Sequence, residues 1–328
     1  MMRMAFLRGP LTLILPVMLS VLASGTAHAQ GAYPSRPIRI IVGFAPASSN
    51  DILSRFVGAK LTERIGHQVV VENRSGANGL IGAEIAATAN PDGHTLLLVT
   101  SSYTMNPAIR KMPFNAEKAF TPVTMIGSGP LALVANPSFA PANVKELIAF
   151  AKTKPGAVTY ATAGVGGVNH FGTELFAKVA GIRMVHVPYK GGAPGLADVM
   201  GGQVNIMLGS LPLTLPHIRS GKVKAYGVSG AQRAAQLPNV PTIAEAGATG
   251  YEMSIWWGLS ATAGSPAPAV VRLNTEINAI LADPESARRL NVIGADPNPM
   301  TVAAFGKFMN SEFEKWTRVA REANIRAE

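Results

Sequence analysis

The sequence predicts an α/β fold of two lobes around a cleft, on three observations. An apolar run of β-branched residues, a loop of small residues and a helix follow one another at 38–65, and the same order returns at 158–180. Two extended stretches, 121–134 and 256–260, stand where the chain would pass from one such unit to the other and back. From 269 onward the composition is helical, which packs a C-terminal return against the first unit. Alternation of strand and helix implies parallel sheets with helices on their faces.

Ile38-Arg39-Ile40-Ile41-Val42 is β-branched save for Arg39, as a strand buried in a parallel sheet should be. Ala47-Ser48-Ser49 are too small to fill the space past its carboxyl end, so a crevice there is lined by backbone. Ser49 or Asn50 then caps a helix over 51–65, whose free N–H groups and positive dipole end suit a carboxylate or phosphate. The same residues would also serve a plain turn that binds nothing.

A strand over 68–72, a turn-rich loop at 73–79, a helix over 81–89 and a buried strand at 95–99 running into Thr100-Ser101-Ser102-Tyr103 complete a first series. Open sheets of this kind bind ligands beyond the carboxyl ends of their strands, which puts Ser101 and Ser102 on the side of Ser48 and Ser49. The stretch 121–134, interrupted by Gly127-Ser128-Gly129-Pro130, is the first crossing. A second series follows: helix 144–154, strand 158–162, a glycine-rich loop, helix 171–180, strand 184–189, helix 195–200 and strand 204–208 ending at Gly209-Ser210. A short helix at 215–220 and a strand at 223–228 end it. Trp256-Trp257-Gly258-Leu259-Ser260 makes the return crossing, and helices at 269–281, 284–290 and 302–324 close the chain. The lobe boundaries are then 30–128 with 253–328, and 129–252.

The first residues set the compartment. Arg3 and Arg8 give a basic start, 11–23 an apolar run and Ala27-His28-Ala29 an A-x-A site, which together read as a signal peptide over 1–29 cut after Ala29. A membrane anchor is disfavoured because the run carries Pro16 and is shorter than the ~20 residues a span needs. The exported chain keeps 27 basic against 19 acidic residues, a mild bias toward anions. Scattered Lys and Arg, few aromatics and export all argue against nucleic acid. The absence of cysteine excludes disulfides, thiolate metal sites and a cysteine nucleophile.

The second loop, Ala163-Gly164-Val165-Gly166-Gly167-Val168-Asn169-His170-Phe171, fits the first half of a dinucleotide fingerprint. Asn169 stands where the third glycine belongs, and the next strand ends in Val187-Pro188-Tyr189 without an acid, so nucleotide binding is rejected. The loop instead offers backbone N–H groups to an anion. No G-x-S-x-G elbow, H-E-x-x-H helix or phosphate-binding P-loop is present, and the six histidines show no metal-ligand spacing. His170 is read as a hydrogen-bonding residue of the helix start ahead of a ligand contact. Trp256 and Trp257 are read as packing, with one of them able to wall the cleft.

With loops and crossings placed, the runs PIRIIVGFAPASSNDILSR, QVVVENRSGANGLIGAE, PDGHTLLLVTSS, GVGGVNHFGTELF, VHVPYKGGAP, GGQVNIM, LPHIRSGKVKAYGVS, LPNVPTIAEAG and WWGLSATAGSP resemble the tripartite tricarboxylate transporter substrate-receptor family, the Bug or TctC-like proteins. The resemblance spans essentially the whole exported chain. It implies a type II periplasmic binding protein, two α/β lobes with two crossing segments, acting as a monomer. Such a protein closes on a small organic carboxylate and delivers it to the membrane components of a tripartite tricarboxylate transporter, with no cofactor, metal or catalytic residue. Carried over by position, the ligand residues are Phe44, Ala45, Ala47, Ser48, Ser49 and Asp51 in one lobe and Gly164, Gly166, Gly167, Asn169 and His170 in the other. Ser101, Ser102, Tyr189, Lys190, Gly209, Ser210 and Trp256 are their neighbours in the cleft.

Three departures bear on the ligand. The family usually carries a glycine pair where this chain has Ala47-Ser48, often a serine at Gly167, and an Asp-Asn pair where it has Gly209-Ser210. The first two move hydroxyl donors from the second loop to the first. The third removes a carboxylate that could pair with an ammonium, so the expected ligand is an aromatic (terephthalate-like) or longer aliphatic di-acid rather than an amino acid. A ligand-sensing receptor for a membrane signalling system would have the same sequence; a periplasmic enzyme on small acids, with Asp51 or His170 as base, is the remaining alternative.

Overall fold

A computed structural model describes residues 1–2 and 33–322, so the expected signal peptide, save its first two residues, lies outside the described residues. Strand β1 (Ile38–Val42) leads to helix α1 (Ser49–Ile65), then come β2 (Val69–Asn73), a 3-10 turn at Ala77–Gly79, α2 (Leu80–Ala87), β3 (Thr95–Thr100) and α3 (Ser101–Ile109). The strand is apolar on both sides because both are covered. Ile38, Ile40 and Val42 pack with Leu53, Val57 and Leu61 of α1, while Ile41 packs with Ala83 and Ala86 of α2.

Helix α3 is absent from the sequence reading, which has the strand end in Thr100-Ser101-Ser102-Tyr103 and places no helix after it. Thr100 caps the helix, its Oγ accepting from Ser102 N at 3.4 Å, and Pro107, which has no N–H to donate to the preceding turn, lies two residues before the helix ends at Ile109.

Both lobes share β4 (Phe120–Ala135). The second lobe then runs α4 (Val144–Thr153), β5 (Thr159–Thr162), α5 (Val168–Ala180), β6 (Val185–Pro188), α6 (Gly192–Met200), β7 (Ile206–Ser210), α7 (Leu211–Arg219) and β8 (Lys224–Val228). Back in the first lobe are β9 (Ser254–Thr262), α8 (Ala267–Ala282), α9 (Pro284–Val292), β10 (Asp296–Pro297) and α10 (Val302–Glu322). The glycines of β4 do not interrupt it as expected. A Cβ on Gly127 would stand 2.5 Å from Asp296 O, so the glycine lets β10 pair directly with β4.

The strand order is β2-β1-β3-β9-β4-β7-β5-β6, with β10 and β8 also on β4. In the first lobe β2, β1 and β3 are parallel and β9 is antiparallel to β3; in the second, β6, β5 and β7 are parallel and β7 is antiparallel to β4. The two lobes therefore have like sheets, joined through the two halves of β4. Its residues 120–130 pair with β9 and 131–135 with β7 and β8.

The return crossing is not where the sequence suggests. Trp256–Ser260 lies inside β9, paired with β3 and β4 in the middle of the first sheet. The chain re-enters just before it, where Met253 N donates to Ser229 O at 2.8 Å. Ser229 Oγ donates to Met253 O at 2.6 Å and accepts from Leu131 N at 2.8 Å, so one hydroxyl ties both crossings together. Among the described residues no helix is long and apolar enough to cross a membrane.

Candidate functional site

The first loop leaves β1 at Gly43 and is held in shape by its own charges. Ala47 has φ 61, a left-handed conformation that costs an L-residue about 1–2 kcal/mol. It is retained because Ala47 N donates to Asp51 Oδ2 at 2.9 Å, and Asp51 is paired with Arg55 at 2.9 Å. Arg55 also donates to Asn73 Oδ1, and Asn73 donates to Phe44 O, which closes the network around the loop. Burial opposes ionisation of Asp51, but the hydrogen bonds from Arg55, Ala47 and Asn73 outweigh it and hold the carboxyl below its usual range. Asp51 is thus a brace of the loop. The helix cap is Ser48, one residue before the expected Ser49 or Asn50: its Oγ accepts from Asp51 N at 3.4 Å.

The second loop follows β5 with Gly164 at φ 143 and Gly166 at φ 77, and α5 begins at Val168, three residues earlier than expected. Gly167 occupies its cap position and supplies no side chain. Ser102 of the first lobe takes that role instead, its Oγ accepting from Val168 N at 3.2 Å. His170 Nδ1 accepts from Gly166 N at 3.1 Å, and its ring stacks 4.1 Å from that of His186. Burial and the neighbouring Arg110 charge lower its pKa to about 4, so the ring is neutral and Nδ1 is free to accept. Asn169 is fixed by donating to Leu208 O.

The lobes meet at glycines. A Cβ on Gly191 would stand 2.9 Å from Ala45 N, one on Gly164 3.3 Å from Asn78 Cα, and one on Gly166 would overlap the Ile109 side chain. Arg110 adds a bond across the gap, donating from Nη2 to Val165 O at 2.6 Å.

Between the loops lies an inner cavity of about 20 Å³, room for roughly one water. Its polar lining is Ser48, Ser49, Asn50, Thr100, Ser102, Asn169 and Ser210; its apolar lining includes Phe44, Val168, Met207, Leu213 and Ile255. No charged side chain lines it. Five helices begin at its wall: Ser48–Asn50 belong to the start of α1, Thr100 and Ser102 to α3, Val168 and Asn169 to α5, Gly192 to α6, and Ser210 precedes α7. Each N-terminus carries about half a positive charge, so the cavity is electropositive without a cation. Asn50 Oδ1 is buried there with no hydrogen-bond partner.

The sequence model described as the tripartite tricarboxylate transporter family receptor matches residues 53–325. The chain belongs to the tripartite tricarboxylate transporter receptor family. It is 35% identical to BugT of Bordetella pertussis over 297 residues, 90% of this chain and 91% of BugT. Among solved structures it resembles Rpa4515 of R. palustris with adipate (TM-score 0.87, 33% identity, 90% of this chain and 99% of that one). It also resembles MatC of Rhodopseudomonas palustris with bound malate (TM-score 0.82, 29% identity, 88% of this chain and 99% of that one).

Of the residues expected in this receptor's cleft, Phe44, Ser48, Ser49, Ser102, Asn169 and Ser210 line the inner cavity. Gly164, Tyr189 and Lys190 line a larger outer one. Ala45, Gly166 and Gly167 lie at the contact between lobes, while Ala47, Asp51 and His170 brace the loops. Gly209 lies against Thr214, and Ser101 Oγ accepts from Trp256 N at 3.0 Å. The Trp256 side chain is turned into the first lobe, its Nε1 donating to Glu312 at 2.9 Å and its ring against Phe308; Ile255, its neighbour along β9, lines the cavity in its place. Sequence reasoning missed Asn50, Thr100, Gly192, Met207, Leu213 and Ile255. For Thr100 and Asn50 a signal was present, since each lies beside a residue singled out at the carboxyl end of a strand.

Proposed function

We propose that this chain is a periplasmic solute-binding receptor that closes its two lobes on a small organic carboxylate and passes it to the membrane components of a tripartite tricarboxylate transporter. The observation that carries the reading is the convergence of five helix N-termini on one uncharged, hydroxyl-lined cavity between the lobes. Desolvating a carboxylate costs several kcal/mol unless hydrogen bonds replace its water, and donors from both lobes can supply them only when the lobes are together. The two solved relatives, one with adipate and one with bound malate, support a carboxylate ligand. In this reading residues 129–252 form the second lobe and the flanking segments, 30–128 and 253–328, the first, with residues 1–29 removed on export.

A receptor is favoured over an enzyme because both titratable groups at the loops are already engaged, Asp51 by Arg55 and His170 by Gly166. The ligand class follows from what the inner wall lacks. No carboxylate lines it to receive an ammonium, and Gly209-Ser210 occupies the end of β7, so di-acids are preferred to amino acids. Titration calorimetry of the exported chain tests this: linear and aromatic di-acids should bind, and aspartate and glutamate should not. Tight binding of aspartate with none of the di-acids would refute the assignment.

A further inference from the structure

The inner cavity has an outward neighbour of opposite character. At the mouth of the cleft a cavity of about 640 Å³ is walled by Asn78 and Arg110 from the first lobe and by Val165, Tyr189 and Lys190, among others, from the second. Asn78 borders both the outer cavity and a small intermediate one, and Phe44 and Thr100 border both the intermediate and the inner one. The partition is thin: a Cβ on Gly167 would stand 2.6 Å from Asn78 Oδ1 and 3.3 Å from Ser102 Oγ, so one missing side chain separates the inner hydroxyls from the outer wall.

Two cations face the outer cavity without a counter-charge. Among the described residues no carboxylate lies within ion-pairing distance of Arg110 or Lys190. Asp198 is engaged by the Tyr189 hydroxyl at 2.5 Å. Arg110 spends one N–H on Val165 O, while its Nε is buried with no partner. Burial lowers the Arg110 pKa, as befits a guanidinium that has lost water and gained no anion.

We propose that Arg110 and Lys190 form an outer anion subsite, which takes the second carboxylate of a linear dicarboxylic acid whose first carboxylate occupies the inner cavity. The proposal rests on the carboxylate reading of that cavity and extends it to the ligand's far end. Arg110 comes from one lobe and Lys190 from the other, so an anion between them stabilises the closed form specifically. A dehydrated guanidinium with a free Nε–H is suited to a charge-assisted bond of this kind.

Adipate and hexanoate, six-carbon acids that differ by the second carboxylate, provide the test by calorimetry on the exported chain and its Arg110→Met and Lys190→Met variants. Adipate should bind the unaltered chain roughly tenfold or more tightly than hexanoate, the worth of one charged hydrogen bond. Lys190→Met should lose that advantage and keep its affinity for hexanoate, while Arg110→Met, which also loses the bond to Val165 O between the lobes, should weaken adipate binding far more than hexanoate binding. Equal losses for both acids would mean that Arg110 only latches the lobes, and would overturn the subsite, as would an unaltered chain that binds both acids alike. Failure of the unaltered chain to bind either acid would overturn the inner carboxylate site as well. Lys190 is exposed and touches no core, so its variant keeps the test valid should Arg110→Met weaken the fold.

Discussion

At the scale of single residues, Ala47 and His170 show how the loops are held. Ala47 carries a left-handed backbone with a Cβ, and the carboxylate of Asp51 keeps it there. Replacing it by glycine removes about 1–2 kcal/mol of strain and adds about 0.5–1 kcal/mol of unfolded-chain entropy. Ala47→Gly should therefore raise the urea midpoint slightly. His170 works through its protonation state. Its pKa lies near 4 in the fold against an ordinary value of 6.5, so the neutral ring is favoured by folding, and this stability is complete above about 6.5. It is lost as the pH falls from 6.5 toward 4, at up to about 1.4 kcal/mol per pH unit. Urea unfolding across that window should show a steeper decline for the unaltered chain than for His170→Gln. The sequence disclosed these loops by their small residues and by Asn50 and Asp51 at a helix start, and it singled out His170 as a helix-start hydrogen bonder. It could not disclose that Asp51 turns back on Ala47, because an acid in a first turn looks the same whether it braces a loop or faces a ligand.

Among elements, the helix starts matter most. Ser102 in the first turn of α3 accepts from Val168 at the start of α5, so a cap is completed across the cleft and exists only when the lobes are together. Capping is worth about 1 kcal/mol. Ser102→Ala should weaken carboxylate binding by roughly fivefold for that energy, with an unchanged thermal midpoint for the ligand-free chain. An equal drop in both would show that the bond serves the fold and not closure. The alternating strands and helices were legible because their periodicity is local. What was hidden depended on partners distant in sequence: α3 behind Pro107, the unbroken β4 behind Gly127 and Gly129, and the placement of Trp256 and Trp257 in a central strand. Gly127 reads as a breaker until Asp296 is seen to pair where its side chain would be.

On the scale of the molecule, two like α/β units joined through β4 bring the carboxyl ends of their strands to one cleft, and the helix starts there make a place for negative charge without a cation. The repeated strand-loop-helix pattern made the two lobes and both loops readable from the sequence. The apolar wall of Met207, Leu213 and Ile255 was not, since nothing local marks a core-like residue as one that borders a cavity. The central claim is that a carboxylate binds between these loops and holds the lobes closed. Its most direct test is a thermal-shift series of mono-, di- and tricarboxylates on the exported chain and on Ser48→Trp, whose indole would fill the inner cavity. Ligand at a hundred times its Kd stabilises by about 2.7 kcal/mol, well within reach of the method. At least one di-acid should raise the midpoint of the unaltered chain and leave that of Ser48→Trp unmoved; an equal rise in both would place the ligand elsewhere and contradict binding between the loops.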